Sequence, residues 1–197
     1  MKHLTLAALS TAALVVLPTL APAEEGHHDQ SHRGHGAHVH GLGRLDLAQE
    51  GAEVYLSLVT PAANLLGFEH RPRGDAERAA LEETVAALRD GPALFRFTEA
   101  AGCTLAEALV ESSLLGPEGL GGGEASGEDH GQDQDGGDHA DMEVEYRFHC
   151  ARPAELKEVR VTLFDRFPAL QRLDVQLATD HGQGAAELTP TNPVLKP

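Results

Sequence analysis

One stretch of the chain alternates apolar and polar residues without a break, and it constrains the fold more than any other feature. The apolar residues are Met142, Val144, Tyr146, Phe148 and Cys150, and the residues between them are Glu143, Glu145, Arg147 and His149. Side chains alternate between the two faces of a β-strand. The pattern therefore predicts a strand with one buried face, on which Cys150 points inward while His149 points outward.

Shorter alternating runs predict the rest of a sheet. Leu45 and Leu47 form one run, Val54–Leu58 forms the next, and Glu50-Gly51 between them marks a hairpin turn. Pro61 is expected to end the second of these strands. Further strands are predicted at Phe95–Phe97, Leu105–Leu115, Val159–Leu163 and Leu173–Leu177.

A single clear helix is predicted between these strands. Leu81, Val85 and Leu88 recur at helical spacing and form one apolar stripe. Asp75 is the expected N-cap, and Asp90-Gly91-Pro92 is expected to stop the helix. Because strands outnumber helices, the predicted fold class is α+β, a mainly antiparallel sheet with one helix packed on it. The strand–helix–strand order leaves room for a mixed sheet.

The first residues resemble a secretory signal that is cleaved after residue 23. Lys2 gives a positive start, an apolar run covers Leu4–Leu17, and Ala21-Pro22-Ala23 fits the small-x-small cleavage pattern. The run is shorter than the roughly 20 apolar residues that span a bilayer. We therefore expect an exported protein without membrane insertion.

The remainder divides by composition and periodicity. Residues 24–37 are expected to form a disordered, His-rich segment. Residues 38–190 are expected to form an α+β domain, with an acidic Gly-rich loop at 116–138. A turn-rich tail is expected at residues 191–197. The tail is expected to be extended.

The formal net charge is −16. Nucleic acids and anionic lipid headgroups are bound by Lys and Arg, so this balance argues against either as a partner, whereas it attracts divalent cations. The chain lacks His-Glu-x-x-His, Gly-x-Ser-x-Gly and a phosphate-binding loop. We therefore do not expect an enzyme.

Histidine is concentrated at the start of the expected mature chain. Six of the twelve histidines lie between His27 and His40, and neutral imidazole is a ligand for Zn²⁺, Cu²⁺ and Ni²⁺. Such a tract predicts metal binding; the alternative is a solvated tail whose histidines bind nothing. The residues expected to act as weak or accessory ligands are His27, His28, His32 and His35 in this tract and His130 in the acidic loop.

A better-ordered site is predicted where separate segments of the domain meet. His38 and His40 are two residues apart, so they point to the same face if they begin the first strand. If the hairpin pairs in register, the loop after Pro61 lies near them and delivers His70, with Glu69 either as a further ligand or as an acceptor that orients a ligand histidine. The predicted ligands are His38, His40, Glu69, His70, His139 and Asp141. For His70, an ordinary surface position is the alternative.

Zn²⁺ is the metal that these imidazoles and carboxylates suit best. Cu⁺ prefers soft sulfur, and Met142 is the only methionine beyond the expected signal. Cys103 and Cys150 are expected to form a disulfide in an exported chain. Closing that loop is worth roughly 4 kcal/mol in the chain-entropy account. Free thiols serving as metal ligands are the alternative.

Six segments carry a family resemblance, in the same order along the chain. They are His38–Gly41, Pro61–Pro72, Ala101–Cys103, His139–Asp141, Tyr146–Cys150 and Leu163–Pro168. The most specific part is Asn-Leu-x-Gly-Phe-Glu-His, over residues 64–70. In these segments the chain resembles the ZrgA-type zinc-uptake proteins of Gram-negative bacteria.

The resemblance implies a periplasmic zinc-binding protein that buffers Zn²⁺ or delivers it to an ABC-type importer. Its partners would be the zinc ion and a periplasmic or inner-membrane component of that importer. Two other functions stay open at this point: a periplasmic copper- or nickel-sequestering protein, and a non-metal interaction module with incidental histidines.

Overall fold

The computed structural model describes residues 39–116 and 139–197, and the structural statements below concern these two ranges. The strands are β1 (Leu42–Glu50), β2 (Glu53–Pro61), β3 (Phe95–Phe97), β4 (Cys103–Glu111), β5 (Asp141–Cys150), β6 (Val159–Val161), β7 (Arg172–Thr179), β8 (Gly182–Leu188) and β9 (Val194–Leu195). The helices are α1 (Ala63–Leu66), α2 (Asp75–Arg89), α3 (Gly91–Leu94) and α4 (Leu163–Arg166). Single 3₁₀ turns lie at Glu99–Ala101 and Pro153–Glu155.

Six strands form the main sheet, in the order β4-β5-β2-β1-β7-β8. Its neighbours are antiparallel except β1 and β7, which pair in parallel with Leu45 opposite Val175. A second, three-stranded antiparallel sheet has the order β3-β6-β9. The predicted α+β class is confirmed, with a mainly antiparallel, mixed main sheet. Within the described ranges α2, at 15 residues, is the one helix longer than a single turn.

The alternating run of β5 lies where its pattern predicts. Val144 and Tyr146 stand opposite Leu58 and Leu56 of β2, and all four side chains are at most 2% exposed. His149 lies on the other, exposed face. One face of the main sheet therefore forms the core. Burial of its large apolar side chains is the main favourable contribution to the free energy of folding.

Helix α2 and the small sheet supply the other half of that core. The predicted stripe of α2 is buried, with Leu88 fully so, and the Leu88 carbonyl accepts a 2.7 Å hydrogen bond from the Tyr146 hydroxyl. Phe97 of the small sheet packs against Phe148 with ring centroids 4.6 Å apart. None of the helices in the two described ranges has the length and apolar composition that crossing a membrane requires.

The β1–β2 hairpin forms at the predicted turn. Glu50 pairs with Glu53, and Gly51 between them has a φ of +57°, a left-handed conformation that glycine adopts without strain. Pro61 is the last residue of β2, as predicted. This hairpin fixes where the chain leaves the sheet and enters α1.

The predicted strand over Val159–Leu163 is wrong in its last two residues. β6 ends at Val161, and Leu163 begins helix α4 instead. Leu163 and Phe164 are consecutive and both buried, which the single buried face of a strand cannot provide. The strand predicted at Leu105–Leu115 likewise lies slightly earlier, at Cys103–Glu111.

Two strands were not predicted. β8 has the sequence Gly-Gln-Gly-Ala-Ala-Glu-Leu, which lacks large alternating apolar residues, yet it pairs along the edge of β7. β9 lies in the segment expected to be an extended tail, where it pairs with β6 and buries Leu195. At the start of α2, Gly74 is the N-cap and Asp75 is the first helical residue, so the predicted cap is off by one position.

Candidate metal centre

His40 lies in a tight turn that leads into β1. The Leu42 N–H donates a 3.1 Å hydrogen bond to the Val39 carbonyl, so residues 39–42 form a β-turn. Its third residue, Gly41, has a φ of +85°, which is typical of a type II turn and favours glycine at that position. The turn leaves the His40 side chain 68% exposed.

Glu69 follows the short helix after β2. Helix α1 ends at Leu66 and is followed by Gly67, whose φ of +82° and N–H bond to the Ala63 carbonyl form a left-handed C-terminal cap. Two residues later, the Glu69 side chain is only 8% exposed. A carboxylate buried to this degree requires compensating partners, because removing a charge from water is costly.

His139 reaches the same place through an extension of the main sheet. β2 and β5 pair up to Pro61 and Asp141, and the next backbone bond runs from the Ala62 N–H to the Ala140 carbonyl, at 2.8 Å. This bond fixes His139 beside the start of α1. Its side chain is 56% exposed.

The carboxylate of Glu69 joins the two histidines. Its Oε1 lies 3.2 Å from Nε2 of His40, and its Oε2 forms a short contact with Nδ1 of His139. We call these three residues the Glu69 cluster. Three segments distant in sequence thus place two imidazoles and one carboxylate together, with the carboxylate buried and both rings at the surface.

The donor set of this cluster is the type that zinc uses in proteins. Zn²⁺ takes imidazole nitrogens and carboxylate oxygens, and a carboxylate next to a metal-binding histidine also orients its ring. As they stand, the side chains of residues 39–116 and 139–197 contain no group of three or more His, Cys, Asp or Glu arranged around a common metal position. In the Glu69 cluster, ring nitrogens instead face carboxylate oxygens directly.

The other predicted ligands within the described residues are His70 and Asp141. Nδ1 of His70 lies 3.0 Å from the Arg71 carbonyl and 3.9 Å from the Glu77 carboxylate, and its ring stacks on Phe68. Asp141 is the first residue of β5, and its carbonyl accepts a hydrogen bond from the Ser112 hydroxyl. Metal binding by His70 and Asp141 stays a prediction. The predicted ligands that lie outside the described residues are His27, His28, His32, His35, His38 and His130.

The predicted disulfide is confirmed. Cys103 and Cys150 stand opposite each other on β4 and β5, and they are bonded. The alternative in which both thiols bind metal is therefore wrong. The bond lies at the opposite end of β5 from Asp141.

The residue pattern does not identify two polar residues beside the site. Thr60 and Asn64 are 0% and 3% exposed, and Asn64 hydrogen-bonds to the Gly41 N–H and to the Leu42 carbonyl, in the two residues that follow His40. The signal in the sequence is a polar residue on each side of Pro61: Thr60 directly precedes it, and Asn64 interrupts the apolar run that follows it. A buried asparagine is expected to have its amide satisfied by specific partners.

A second histidine–glutamate pair lies far from the Glu69 cluster. Nδ1 of His149 is 2.7 Å from Oε1 of Glu53, on the exposed face of the main sheet near the disulfide. Both side chains are partly exposed, at 55% and 31%. This pair offers a natural comparison for experiments on the first.

A protein-family model described as "ZrgA family zinc uptake protein" matches residues 37–197. The match spans more than half of the chain and includes both described ranges. A comparison with curated proteins found no match.

Proposed function

Because the chain belongs to the ZrgA family of zinc uptake proteins, we propose that it binds Zn²⁺ in the periplasm and either buffers it or delivers it to an ABC-type importer. Zinc is the cargo in this proposal and no reaction is catalysed. We assign the cargo site to the Glu69 cluster, with His40 and His139 as imidazole ligands.

The observation that carries this assignment is the convergence of His40 and His139 on the buried carboxylate of Glu69. Each contact joins a ring nitrogen to a carboxylate oxygen, which are the atom types that bind Zn²⁺. Buried charges in proteins are paired or coordinate metals. A cation between these groups would compensate the carboxylate while using both rings.

The exposure of the two rings favours a cargo site over a structural one. Structural zinc sites are closed by four protein ligands. Here His40 and His139 are 68% and 56% exposed while Glu69 is 8% exposed, so the cluster is accessible from solvent. Such access lets zinc exchange with another protein, which a buffering or delivery role requires.

Further ligands complete the proposal. His38 precedes His40 by two residues, and Asp141 follows His139 by two, so both are candidates for the remaining coordination positions. His70 stays a candidate if its ring leaves the Arg71 carbonyl. The histidines at positions 27, 28, 32, 35 and 130 are proposed to capture zinc weakly before it reaches the cluster.

Zinc affinity of single variants tests the assignment. We would measure it by competition with a chromophoric chelator for His40→Ala, Glu69→Gln and His139→Ala, with His149→Ala as the matched control. Each cluster variant is expected to lose at least about tenfold in affinity, which corresponds to about 1.4 kcal/mol, and the control should match the wild type. Wild-type affinity in all three cluster variants would show that the ligands lie elsewhere.

Growth assays separate uptake from sequestration of copper or nickel. A strain lacking this chain is expected to grow poorly when zinc is scarce, and the Glu69→Gln variant should fail to restore growth. Sensitivity to excess copper or nickel, with normal growth under zinc limitation, would instead favour sequestration. Failure of the wild-type protein to bind zinc would refute both the role and the site.

A further inference from the structure

The oxygen and the nitrogen of the Asn64 amide both hold the turn of His40. Its Oδ1 accepts a 2.6 Å hydrogen bond from the Gly41 N–H, and its Nδ2 donates to the Leu42 carbonyl at 2.9 Å. The second Nδ2 proton goes to Thr60 Oγ1, at 2.8 Å. A side-chain amide has two donor protons, so its donor capacity is filled.

These contacts also fix which way the amide faces. The Gly41 nitrogen can only donate and the Leu42 carbonyl can only accept, so reversing the amide would break both bonds. Thr60 supports the arrangement from below, since its hydroxyl also lies 3.4 Å from the Leu42 carbonyl. Asn64 is 3% exposed, so water does not readily replace these bonds.

The opposite side of the turn is held by a different strand. The Gly41 carbonyl accepts hydrogen bonds from the backbone N–H groups of Gln171 and Arg172, at 2.8 and 2.9 Å. Gly41 is therefore clamped through its N–H by Asn64 and through its carbonyl by the start of β7. Since His40 precedes Gly41 directly, the clamp holds the backbone from which the His40 side chain projects.

Asn64 belongs to the same short helix that leads to Glu69. Helix α1 also begins directly after Ala62, whose N–H donates a hydrogen bond to the carbonyl of Ala140, the residue that follows His139. One side chain therefore connects the backbone of the His40 segment to the element that positions the other two members of the Glu69 cluster. Metal sites depend on such contacts because ligand distances tolerate errors of only about 0.2 Å.

We infer that Asn64 is a positioning residue for zinc binding: it sets the place of His40 relative to Glu69 without touching the ion. This inference rests on the cargo site proposed above. Groups that orient ligands typically change metal affinity by about 10- to 100-fold when they are removed. A loss of that size is expected for Asn64→Ala.

The test must separate positioning from general stability. Asn64→Ala is compared with Tyr146→Phe, which removes a buried hydrogen bond in the core, from the Tyr146 hydroxyl to the Leu88 carbonyl. Both variants are expected to melt below the wild type. Zinc affinity should fall by about 10- to 100-fold in Asn64→Ala and stay at the wild-type level in Tyr146→Phe.

The visible absorption bands of bound Co²⁺ provide a second readout, because they report the ligands around the ion. We expect a changed Co²⁺ spectrum for Asn64→Ala and an unchanged one for Tyr146→Phe. If Asn64→Ala does not fold, Thr60→Val removes one support of the same amide. Thr60→Val should then lower zinc affinity less than is expected for Asn64→Ala, and it should change the Co²⁺ spectrum less.

The outcomes distinguish this inference from the function on which it rests. Wild-type zinc affinity and Co²⁺ spectrum in Asn64→Ala, or in Thr60→Val as its substitute, would overturn the inference and leave the cargo site intact. If Glu69→Gln and His40→Ala also keep wild-type affinity, the cargo site itself is refuted. The inference then falls with it.

Discussion

The backbone N–H of Ala62 donates a 2.8 Å hydrogen bond to the carbonyl oxygen of Ala140. This bond extends the pairing of β2 with β5 by one step beyond the last strand residues, Pro61 and Asp141. It brings His139 to the start of the helix that leads to Glu69. The position of this imidazole is thus a consequence of strand register.

Zinc is expected to stabilise the folded protein through the Glu69 cluster. A ligand that binds only the native state, at 100 times its dissociation constant, adds about 2.7 kcal/mol. For a domain of this size each kcal/mol raises the melting temperature by about 2–4 °C. Melting curves with and without zinc should therefore differ by several degrees in the wild type and in His149→Ala, and by much less in Glu69→Gln. An unchanged wild-type curve would favour the non-metal interaction module.

Zinc binding is expected to weaken in acid. An imidazole must lose its proton before it coordinates a metal, and histidine side chains generally titrate near pH 6.5. Affinity measured by calorimetry should therefore fall steeply below about pH 6. Proton release, counted in buffers of different ionisation enthalpy, should decrease in His139→Ala. Equal wild-type affinity at pH 5 and pH 7.5 would exclude imidazole ligation.

Tyr146 is expected to make stability depend on alkaline pH. Burial raises the pKa of Tyr146 above its ordinary value, because the charged phenolate is disfavoured in the core. The neutral Tyr146 side chain contributes fully to the free energy of unfolding below the unfolded-state pKa of about 10. This contribution is lost as the pH rises, since the tyrosine then ionises only in the unfolded chain. The loss of stability therefore begins near pH 10 and grows as the pH rises further.

Tyr146→Phe removes that dependence together with one hydrogen bond. At neutral pH we expect it to cost about 1 kcal/mol, because the Leu88 carbonyl loses its donor. Between pH 10 and pH 11.5 it should lose less stability than the wild type. Denaturant titrations at pH 10 and at pH 11.5 measure this loss of stability. Tyr55→Phe is the matched control because Tyr55 is 40% exposed. An identical alkaline loss in Tyr146→Phe and wild type would contradict the assignment.

Removing the disulfide is expected to reduce stability without reducing zinc affinity. The bond closes a sequence separation of 47 residues, for which the chain-entropy account gives roughly 4 kcal/mol. Since Cys150 lies at the far end of β5 from Asp141, the double variant Cys103→Ala/Cys150→Ala should bind zinc like the wild type at a temperature where it is folded. Denaturant titration and chelator competition measure the two effects. Loss of zinc affinity as large as in His40→Ala would show that the two ends of β5 are coupled.

The residue pattern predicts those strands that have one face buried in the core and the other face exposed. β5 and the β1–β2 hairpin combine strict alternation with a clear turn, so their type and their buried face follow from period alone. β8 and β9 do not, because their formation depends on a partner strand rather than on their own side chains. The parallel pairing of β1 with β7 is likewise a long-range contact that no local pattern encodes.

The chemistry of the candidate site was more predictable than its geometry. His40, Glu69 and His139 are identifiable as ligand types, and hairpin register explains why two of their segments meet. The ring partners of His70 depend on a loop conformation that residue types do not specify. The role of Asn64 was hidden for a related reason, since its hydrogen bonds go to backbone atoms and leave no pattern in the side chains of residues 39–42.

The clamp on Gly41 also bears on when the site is completed as the protein is made. The N–H groups that hold its carbonyl belong to Gln171 and Arg172, so a nascent chain that ends before them already contains His40, Glu69 and His139 but lacks half of the clamp. Pairings between such distant segments are generally slow to form. We therefore expect the Glu69 cluster to bind zinc tightly only once the chain has been completed through residue 172.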